Sequence, residues 1–399
     1  RHRGPDGTVV WSDRAVGLGT AVLDRAPEGR GPVAGLSVRC RIAFDGRLDN
    51  RDDIGDALGL RGRDRAVADE GLVALAYDAW GLEVADRLLG DFSFVVWDEA
   101  ERRLLAVRDP VGVRSLCYRV EQGDVAVASD PPFERPAANE GFVAEALVGR
   151  LTSTRETVFE GVLRVPPGHR LVATAAGVSV SRWWHPGQRP PALGRTAEER
   201  EHQLRELLVE VVRCRMRVRG RVGIMLSGGI DSAAICGIAG MLEREGRAPG
   251  RGLDAFSIVW PGHPADEHDL AVAAAEIAGV TLHAVRWPTA RPQVEQARRY
   301  WGLPVQANAG VADEMRRDAV ARGVDVLLTG IGPDEWLSAG AATGAELLRG
   351  WRWWDLVQHL VGEFQQPVRP TVSEALKGLL WPLAPRPVKA AVRACLRHR

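Results

Sequence analysis

Lysine is almost absent from this sequence of 399 residues, in which it occurs only at Lys377 and Lys389. Arginine therefore carries nearly all of the positive charge, and 52 Lys and Arg side chains balance 52 Asp and Glu side chains. This balance gives no indication of binding to nucleic acid or to an anionic membrane. The sequence also lacks a run of about 18 apolar residues, the length that a transmembrane helix requires. We therefore expect no nucleic-acid partner and no membrane insertion.

Cysteine is scarce and scattered along the chain. No two cysteines form a CxxC pair, so that neither a disulfide framework nor a zinc site is indicated. We predict reduced thiols and a cytoplasmic location. The sequence has neither an initial methionine nor a signal-peptide pattern, and we expect the start of the complete protein to be missing. The five cysteines are Cys40, Cys117, Cys214, Cys236 and Cys395.

The apolar pattern divides the chain into two parts. Residues 1–185 contain mostly short runs that are typical of strands, with few helices, which predicts an α+β domain. Residues 186–199 are rich in proline and polar side chains and are interpreted as a linker. Over residues 200–399 apolar strands alternate with helical segments, which predicts an α/β domain with a parallel sheet and a helical C-terminal part.

Three local patterns in the first part predict particular elements. The apolar run at residues 36–44 is expected to form a strand that stops at a hairpin-type turn, Asp45-Gly46. Apolar residues at helical spacing predict a helix over residues 65–80. A single strand is predicted over residues 119–128.

The most informative pattern is LSGGIDS at residues 226–232, which we call the glycine loop. It follows an apolar strand and opens a helix, where glycines let the backbone approach an anion and N–H groups point toward it. Ser227 and Ser232 add hydroxyl donors, and Asp231 suits a Mg²⁺ ion that bridges to phosphates. The loop lacks the Gly-Lys-Ser/Thr of a Walker motif and predicts another kind of phosphate-binding site. An ordinary glycine-rich turn is the alternative.

A second loop, TGIGPDEW at residues 329–336, also follows an apolar strand. Ligands of open parallel sheets bind beyond the carboxyl ends of the strands. Asp231 and Asp334 are therefore predicted to face one crevice and to act as paired carboxylates around a metal ion. The alternative is a solvated acidic loop.

Both loops resemble those of a known family. The glycine loop resembles the pyrophosphate loop of the ATP pyrophosphatase superfamily, and residues 329–336 resemble the SGEGADE-type loop of asparagine synthetases. The first part of the chain is similar to the glutaminase domain of the same family, and the resemblance runs in order over residues 1–340. The matching segments of the first part are residues 3–7, 45–50, 89–94, 108–114 and 165–169.

This resemblance implies a fold and a reaction. The first part would be a glutaminase-like domain of the N-terminal-nucleophile type, with a sandwich of antiparallel sheets, and the second a Rossmann-like, doubly wound domain. The second domain would convert a carboxylate to an acyl-AMP, release pyrophosphate and join the acyl group to an amine. Asp231 and Asp334 would be catalytic and would hold Mg²⁺. ATP would contact Leu226, Ser227, Gly228, Gly229, Asp231, Ser232, Ile258, Thr329 and Gly330.

Several positions depart from the glutamine-dependent members of the family. The resemblance places Asp45, Gly46 and Asp69 at the glutamine site, but Asp45 replaces an oxyanion-hole asparagine and would repel the developing negative charge. Ile331 replaces a glutamate suited to deprotonating ammonia, and isoleucine cannot transfer a proton. The catalytic cysteine of the family lies before the start of this sequence. Glutamine is therefore expected as a partner only if the complete protein carries that cysteine.

These departures favour relatives that use an amine already present on the substrate, namely lasso-peptide macrolactam cyclases and β-lactam synthetase. The expected substrate is a small-molecule or peptide carboxylate, and the amide would form within one molecule. Two alternatives stay open: glutamine-dependent synthesis of asparagine from aspartate, and a non-catalytic ATP-binding scaffold. The family's helical region, with its catalytic lysine, runs beyond Arg399, so that we expect a truncated C-terminus. A homodimer is the candidate assembly.

Overall fold

The computed structural model describes residues 4–13, 16–28, 40–62, 66–130, 137–187, 196–264, 266–286, 309–332, 343–365, 383–385 and 387. The chain divides into two compact units, Arg1–Thr329 and Gly330–Arg399. All the sheets of the described part lie in the first unit. Among the described helices, none is both long and apolar enough to cross a bilayer.

A two-stranded hairpin and a five-stranded antiparallel sheet form the first part of this unit. The hairpin pairs β1 (Gly7–Asp13) with β2 (Val16–Val22). The larger sheet consists of β3 (Cys40–Leu48), β4 (Gly90–Asp98), β5 (Arg103–Arg108), β9 (His169–Thr174) and β10 (Gly177–Arg182). Its strand order is β10-β9-β5-β4-β3.

A three-stranded antiparallel sheet packs against one face of the five-stranded sheet. It contains β6 (Cys117–Glu121), β7 (Asp124–Ala128) and β8 (Leu163–Arg164), in the order β7-β6-β8. Successive residues of a strand point to opposite faces, so that Val95 of β4 packs toward Tyr118 of β6 while its neighbours Phe94 and Val96 pack on the other side. The five-stranded sheet is therefore covered on both faces.

Helices cover the face that carries Phe94. α1 (Arg51–Ala57), α2 (Asp69–Trp80) and a 3-10 helix (Gly81–Arg87) contribute buried side chains to this core. A further helix, α3 (Glu140–Leu147), follows later in this part of the chain. Tyr77 of α2 is completely buried in the same core, and its hydroxyl donates a 2.9 Å hydrogen bond to the buried carboxylate of Asp98. The buried phenol thus keeps a hydrogen-bond partner.

A four-stranded parallel sheet forms the rest of the first unit. Its strands are β11 (Arg221–Met225), β12 (Leu253–Val259), β13 (Thr281–Arg286) and β14 (Val324–Leu328). Their order is β13-β12-β11-β14, and every pair is parallel. The chain thus proceeds from β11 outward to β13 and then returns to the other side of β11.

Helices lie on both faces of the parallel sheet. They are α4 (Ala197–Arg215), α5 (Ile230–Arg244), α6 (His268–Ala278) and α7 (Ala309–Ala321). Ile224 and Ala255 belong to the core that contains α5 and α6, whereas Phe256, the neighbour of Ala255, packs with Met315 of α7. This two-sided burial explains why the strands are almost continuously apolar.

The second unit contains two described helices, α8 (Thr343–Arg349) and α9 (Trp353–Gln365). Between them Trp351 contacts Trp353 edge to face, with ring centroids 5.8 Å apart. Both indoles are more than half exposed.

The prediction of a turn at Asp45-Gly46 is wrong. Both residues lie inside β3, where Asp45 pairs with Ser93 and Gly46 pairs with Phe92. Gly46 has a φ of +151°, and a Cβ at this position would lie 2.2 Å from the carbonyl oxygen of Asp91. The glycine therefore permits close approach of two strands instead of reversing the chain.

Two other local predictions need correction. Residues 119–128 form the hairpin of β6 and β7, because Gln122 and Gly123 both adopt positive φ and turn the chain. The helix predicted over residues 65–80 begins only at Asp69, since Ala68 has an extended backbone. The sequence patterns did not identify the hairpin of β1 and β2 or the helices α1 and α3.

Candidate functional site

The glycine loop lies where the order of the parallel strands reverses. It follows β11, which pairs with β12 on one side and with β14 on the other. Thr329 follows β14 directly. The glycine loop and the segment that begins at Thr329 therefore leave the carboxyl ends of two neighbouring strands. A reversal of this kind leaves a crevice in which open α/β sheets bind their ligands.

Hydrogen bonds between the two serines hold the glycine loop together. The hydroxyl oxygens of Ser227 and Ser232 are 3.0 Å apart, and the Ser227 N–H donates to the Ser232 hydroxyl at 3.2 Å. Ser232 in turn donates to the carbonyl oxygen of Gly229 at 3.1 Å, and the Gly229 N–H donates to Ser227. The predicted residues Ser227, Gly229 and Ser232 are thus brought together at the start of α5.

Gly228 brings the loop into contact with the first turn of α6. Its φ is +98°, a conformation that side chains disfavour, and a Cβ would lie 2.9 Å from both the carbonyl oxygen of Glu267 and the Cβ of Leu270. Only glycine therefore fits this position without a shift of the backbone. The requirement is stronger than that of an ordinary glycine-rich turn, because it combines positive φ with close packing.

The start of α5 has the donors and the carboxylate that a magnesium–phosphate ligand needs. The first N–H groups of a helix have no acceptor within the helix and favour an anion. Asp231 stands in this first turn. Among the described residues there is no group of three His, Cys, Asp or Glu side chains that could hold a metal ion. Mg²⁺ does not require one, since it binds one or two carboxylates together with phosphate oxygens.

The other residues that were predicted to contact the nucleotide lie in different environments. The side chain of Leu226 is 1% exposed and packs in the core under α5, so that only its backbone can reach a ligand. Ile258 packs on the opposite face of the sheet, near Phe256. Thr329 is exposed after β14. Gly330 belongs to the second unit, and Asp334 lies outside the described residues.

The residues predicted for glutamine lie in another place, a cavity of about 320 Å³ that we call the ion-pair cavity. Asp45, Gly46 and Asp69 line it. So do Arg217, which follows α4, and Asp325 of β14. The cavity therefore contains residues from both sequence parts of the first unit.

Asp69 is fully engaged by protein groups. Its carboxylate pairs with Arg51 and with Arg217, the latter at 2.9 Å, and accepts the Leu48 N–H at 2.9 Å. The side chain is 8% exposed. Glu28 completes the cluster through a 2.6 Å contact with Arg217. A carboxylate with these partners retains little capacity to bind the ammonium group of an amino acid.

Asp45 is partly exposed and has a cationic neighbour. Its carboxylate lies 3.5 Å from the Nη1 atom of Arg114, and about a third of each side chain is accessible. The carboxylate of Asp45 is therefore a negative group at the position where the family resemblance implies a neutral oxyanion donor.

An alternating run of arginines, which the sequence motifs did not identify as functional, connects the two parts of the unit. Residues 213–221, the arginine segment, have arginine at every second position. Arg215 pairs with Asp49 and Asp91, and Arg219 pairs with Asp24. The period of two was a visible signal in the sequence, but it does not mark one extended face, because Arg213 and Arg215 end α4 and Arg221 begins β11. The partners of these arginines are distant in sequence.

Burial and charge act in opposite directions on these arginines. Burial disfavours the charged form of Arg217, but Asp69 and Glu28 outweigh that effect and hold the pKa of Arg217 above its ordinary value. At the end of the segment Arg221 contacts Asp254 at 2.6 Å, and His283 lies 3.0 Å from the same carboxylate.

Comparison with known proteins follows the division of the chain. Residues 1–184 match the glutamine amidotransferase domain family, and residues 203–395 match the asparagine synthase family. The amidase chry2 of Gibberella zeae is 29% identical over 84% of this chain and 53% of that protein. Asparagine synthetase [glutamine-hydrolyzing] 3 of Bacillus subtilis is 29% identical over 64% of this chain and 43% of that protein. The chain spans about half the length, or less, of these relatives.

Among solved structures, the glutamine phosphoribosylpyrophosphate amidotransferase of B. subtilis is similar to this chain. The match covers 69% of this chain and 52% of that chain, with 16% identity and a TM-score of 0.26. The family matches confirm the expected resemblance, with a glutamine amidotransferase-like region followed by an asparagine synthase region.

Proposed function

Since residues 203–395 match the asparagine synthase family, we propose that this chain catalyses ATP-dependent, AMP-forming synthesis of an amide bond. A carboxylate substrate is adenylated with release of pyrophosphate, and an amine then attacks the acyl-AMP. The observation that carries this proposal is the glycine loop, with the closely packed Gly228 and the paired serines at the reversal of the strand order.

The groups of the loop have different proposed roles. The N–H groups at the start of α5 and the hydroxyls of Ser227 and Ser232 bind the pyrophosphate part of ATP. Asp231 and Asp334 would hold a Mg²⁺ ion, which would neutralise charge on the departing pyrophosphate. The remaining contribution is positioning, because a carboxylate and ATP held together react much faster than free reactants. Ile258, Thr329 and Gly330 are proposed to lie along the adenosine.

The ion-pair cavity supports an amine that does not come from glutamine. Asp69 already has Arg51, Arg217 and the Leu48 N–H as partners, and Asp45 pairs with Arg114. Neither carboxylate is arranged for glutamine hydrolysis. We therefore propose an amine on the same substrate molecule, as in lasso-peptide macrolactam formation, with a peptide or small-molecule carboxylate. A glutamine-dependent synthesis of asparagine is the second candidate, favoured by the name of the B. subtilis relative.

The finer features of the fold are part of the same proposal. We propose that residues 1–185 form a sandwich of the N-terminal-nucleophile type, that residues 186–199 are a linker, and that residues 200–399 contain a Rossmann-like, doubly wound domain. A homodimer and a cytoplasmic location are proposed on the same basis.

The test is ATP–pyrophosphate exchange by the complete protein that contains this chain, with candidate carboxylates and Mg²⁺. We expect carboxylate-dependent exchange and formation of AMP, and a large loss of both in the Asp231→Asn variant. Asp52→Asn is the matched control, because it changes a carboxylate in the first turn of another helix, α1. Tight nucleotide binding without exchange for any carboxylate would favour a non-catalytic scaffold.

A second assay separates the two amine sources. The complete protein receives MgATP, aspartate and glutamine, and asparagine and glutamate are quantified. We expect neither product above background. Asparagine formed at a substantial turnover would overturn the proposal of an amine on the substrate, while leaving the adenylation step intact.

A further inference from the structure

A second cavity, of about 910 Å³, lies between α1, the 3-10 helix and the residues that follow β10. Trp80, Trp183 and Trp184 line it, and we call it the tryptophan cavity. It shares no lining residue with the ion-pair cavity. A volume of this size is within the range of cavities that bind organic ligands and suits a short peptide segment.

Carboxylates outnumber cations among the lining residues of the tryptophan cavity. Asp53 of α1 and Glu83 and Asp86 of the 3-10 helix contribute three carboxylates, whereas Arg87 contributes a guanidinium. The side chains of Asp53 and Glu83 belong to exposed residues. A ligand with a positive charge therefore matches the lining better than a neutral or anionic one.

Arg87 of the protein already forms the kind of contact with an indole that a cationic ligand would form. The guanidinium carbon of Arg87 lies 4.7 Å from the ring centroid of Trp80, within the distance of a cation–π interaction. Trp184, which is half-buried, presents another indole in the same cavity. Indoles next to carboxylates are a favourable environment for a guanidinium or ammonium group.

Two further features indicate a peptide as the source of the positive charge. Trp183 is 7% exposed, and among the described residues its indole N–H has no hydrogen-bond acceptor, a group that a peptide carbonyl could supply. Leu89 lines the same cavity and is 59% exposed, which adds an apolar contact. Free arginine would not use both features, because it has no apolar neighbouring side chain to contact Leu89.

We infer that the tryptophan cavity binds a short peptide segment that carries a basic side chain beside an apolar one. The basic group lies among the indoles and the carboxylates of Asp53 and Glu83, and Leu89 contacts the apolar neighbour. This site is separate from the glycine loop, so that the inference does not depend on the proposed reaction.

The test is a calorimetric titration of the complete protein, without ATP, with the peptide acetyl-Gly-Leu-Arg-Leu-Gly-amide. The same peptide with citrulline in place of arginine has nearly the same shape without the charge. We expect the arginine peptide to bind at least about fivefold more tightly than the citrulline peptide, and this preference to decrease at high salt. The Asp53→Asn/Glu83→Gln double variant is expected to lose the preference.

A matched control is Glu99→Gln, because Glu99 is exposed and lies beyond the opposite end of β4 from Leu89. This control is expected to keep the full preference for the arginine peptide. Equal affinity for the two peptides, no binding at millimolar concentration, or unchanged binding by the double variant would overturn the inference. Binding of free arginine as tight as that of the peptide would overturn the assignment to a peptide. ATP–pyrophosphate exchange is expected to be unaffected by the double variant, which separates this test from that of the reaction.

Discussion

The glycine loop and the ion-pair cavity lie in the same unit, but their polar groups are satisfied in different ways. In the loop, Ser227 and Ser232 bond to each other and to the backbone, and the helix N-terminus leaves donors for a ligand. In the cavity, the carboxylate of Asp69 is neutralised by Arg51 and Arg217. A family motif therefore indicates a function only where the neighbouring residues leave its polar groups available to a ligand.

The largest effect is expected from Gly228→Ala, which tests whether the loop depends on its close packing. The methyl group would collide with Glu267 and Leu270 and would require a strained φ of +98°. We expect pyrophosphate exchange to fall at least about 100-fold, as for other lost anion donors. The unfolding free energy should fall by about 1–3 kcal/mol.

The control for this variant is Gly262→Ala. Gly262 also has a positive φ, of +80°, but a Cβ there would meet no atom within 4 Å. It is expected to lose stability through backbone strain and to keep its exchange activity. Equal losses of activity in both variants would show that close packing of Gly228 is irrelevant.

The next effect is expected from Arg217→Met, which breaks the network of the ion-pair cavity. Asp69 and Glu28 would each lose a partner in a largely buried environment. Removing one member of a buried ion pair destabilises a protein by about 3–5 kcal/mol, and we expect about 3 kcal/mol here because Arg51 remains. Urea unfolding measures the change.

Two companion variants sharpen this result. Arg213→Met breaks a more exposed pair with Glu210 and should cost less than about 1 kcal/mol. The Arg217→Met/Asp69→Asn double variant should lose less stability than the sum of the single changes. Additive losses would indicate that the two side chains do not stabilise each other.

A pH-dependent effect is expected at Asp254, which extends the comparison to β12. Burial raises the pKa of this carboxyl, but hydrogen bonds from His283 and Arg221 outweigh it and hold the pKa below its ordinary value. The resulting stability is present above the unfolded pKa of about 3.9 and is lost as the pH falls through the lower folded value. Asp254→Asn should therefore weaken the acid dependence of the unfolding free energy below about pH 4. An unchanged acid slope in urea unfolding between pH 3 and 6 would contradict this assignment.

The smallest effect is expected from Glu210→Gln at the end of α4. Burial, and then the carboxylate of Glu210, raise the pKa of the Cys214 thiol to about 11. Removing the carboxylate should lower this pKa and accelerate maleimide alkylation of Cys214 by about threefold at pH 8. Peptide mapping by mass spectrometry separates Cys214 from the other thiols. Alkylation at the original rate would show that burial by itself sets the pKa.

Sequence patterns predicted the alternating strands and helices after residue 200 because each element has its own apolar periodicity. They also predicted that the glycine loop would join a strand to a helix, as β11 and α5 confirm. The same reasoning was wrong at Asp45-Gly46, where an Asp-Gly pair that is typical of a turn lies inside β3. Turn propensity was overridden there by pairing with β4.

The glycine loop follows from local sequence, because its serines, glycines and aspartate lie within seven consecutive residues, and Ser227 and Ser232 bond to each other and to the backbone. The ion pairs of Asp69 depend on the tertiary fold, because its partner Arg217 is 148 residues away. The tertiary fold also requires glycine at position 46, through the close approach of Asp91. Local hydrogen bonds follow from neighbouring residue types, whereas these ion pairs and steric contacts depend on which distant segments the fold brings together.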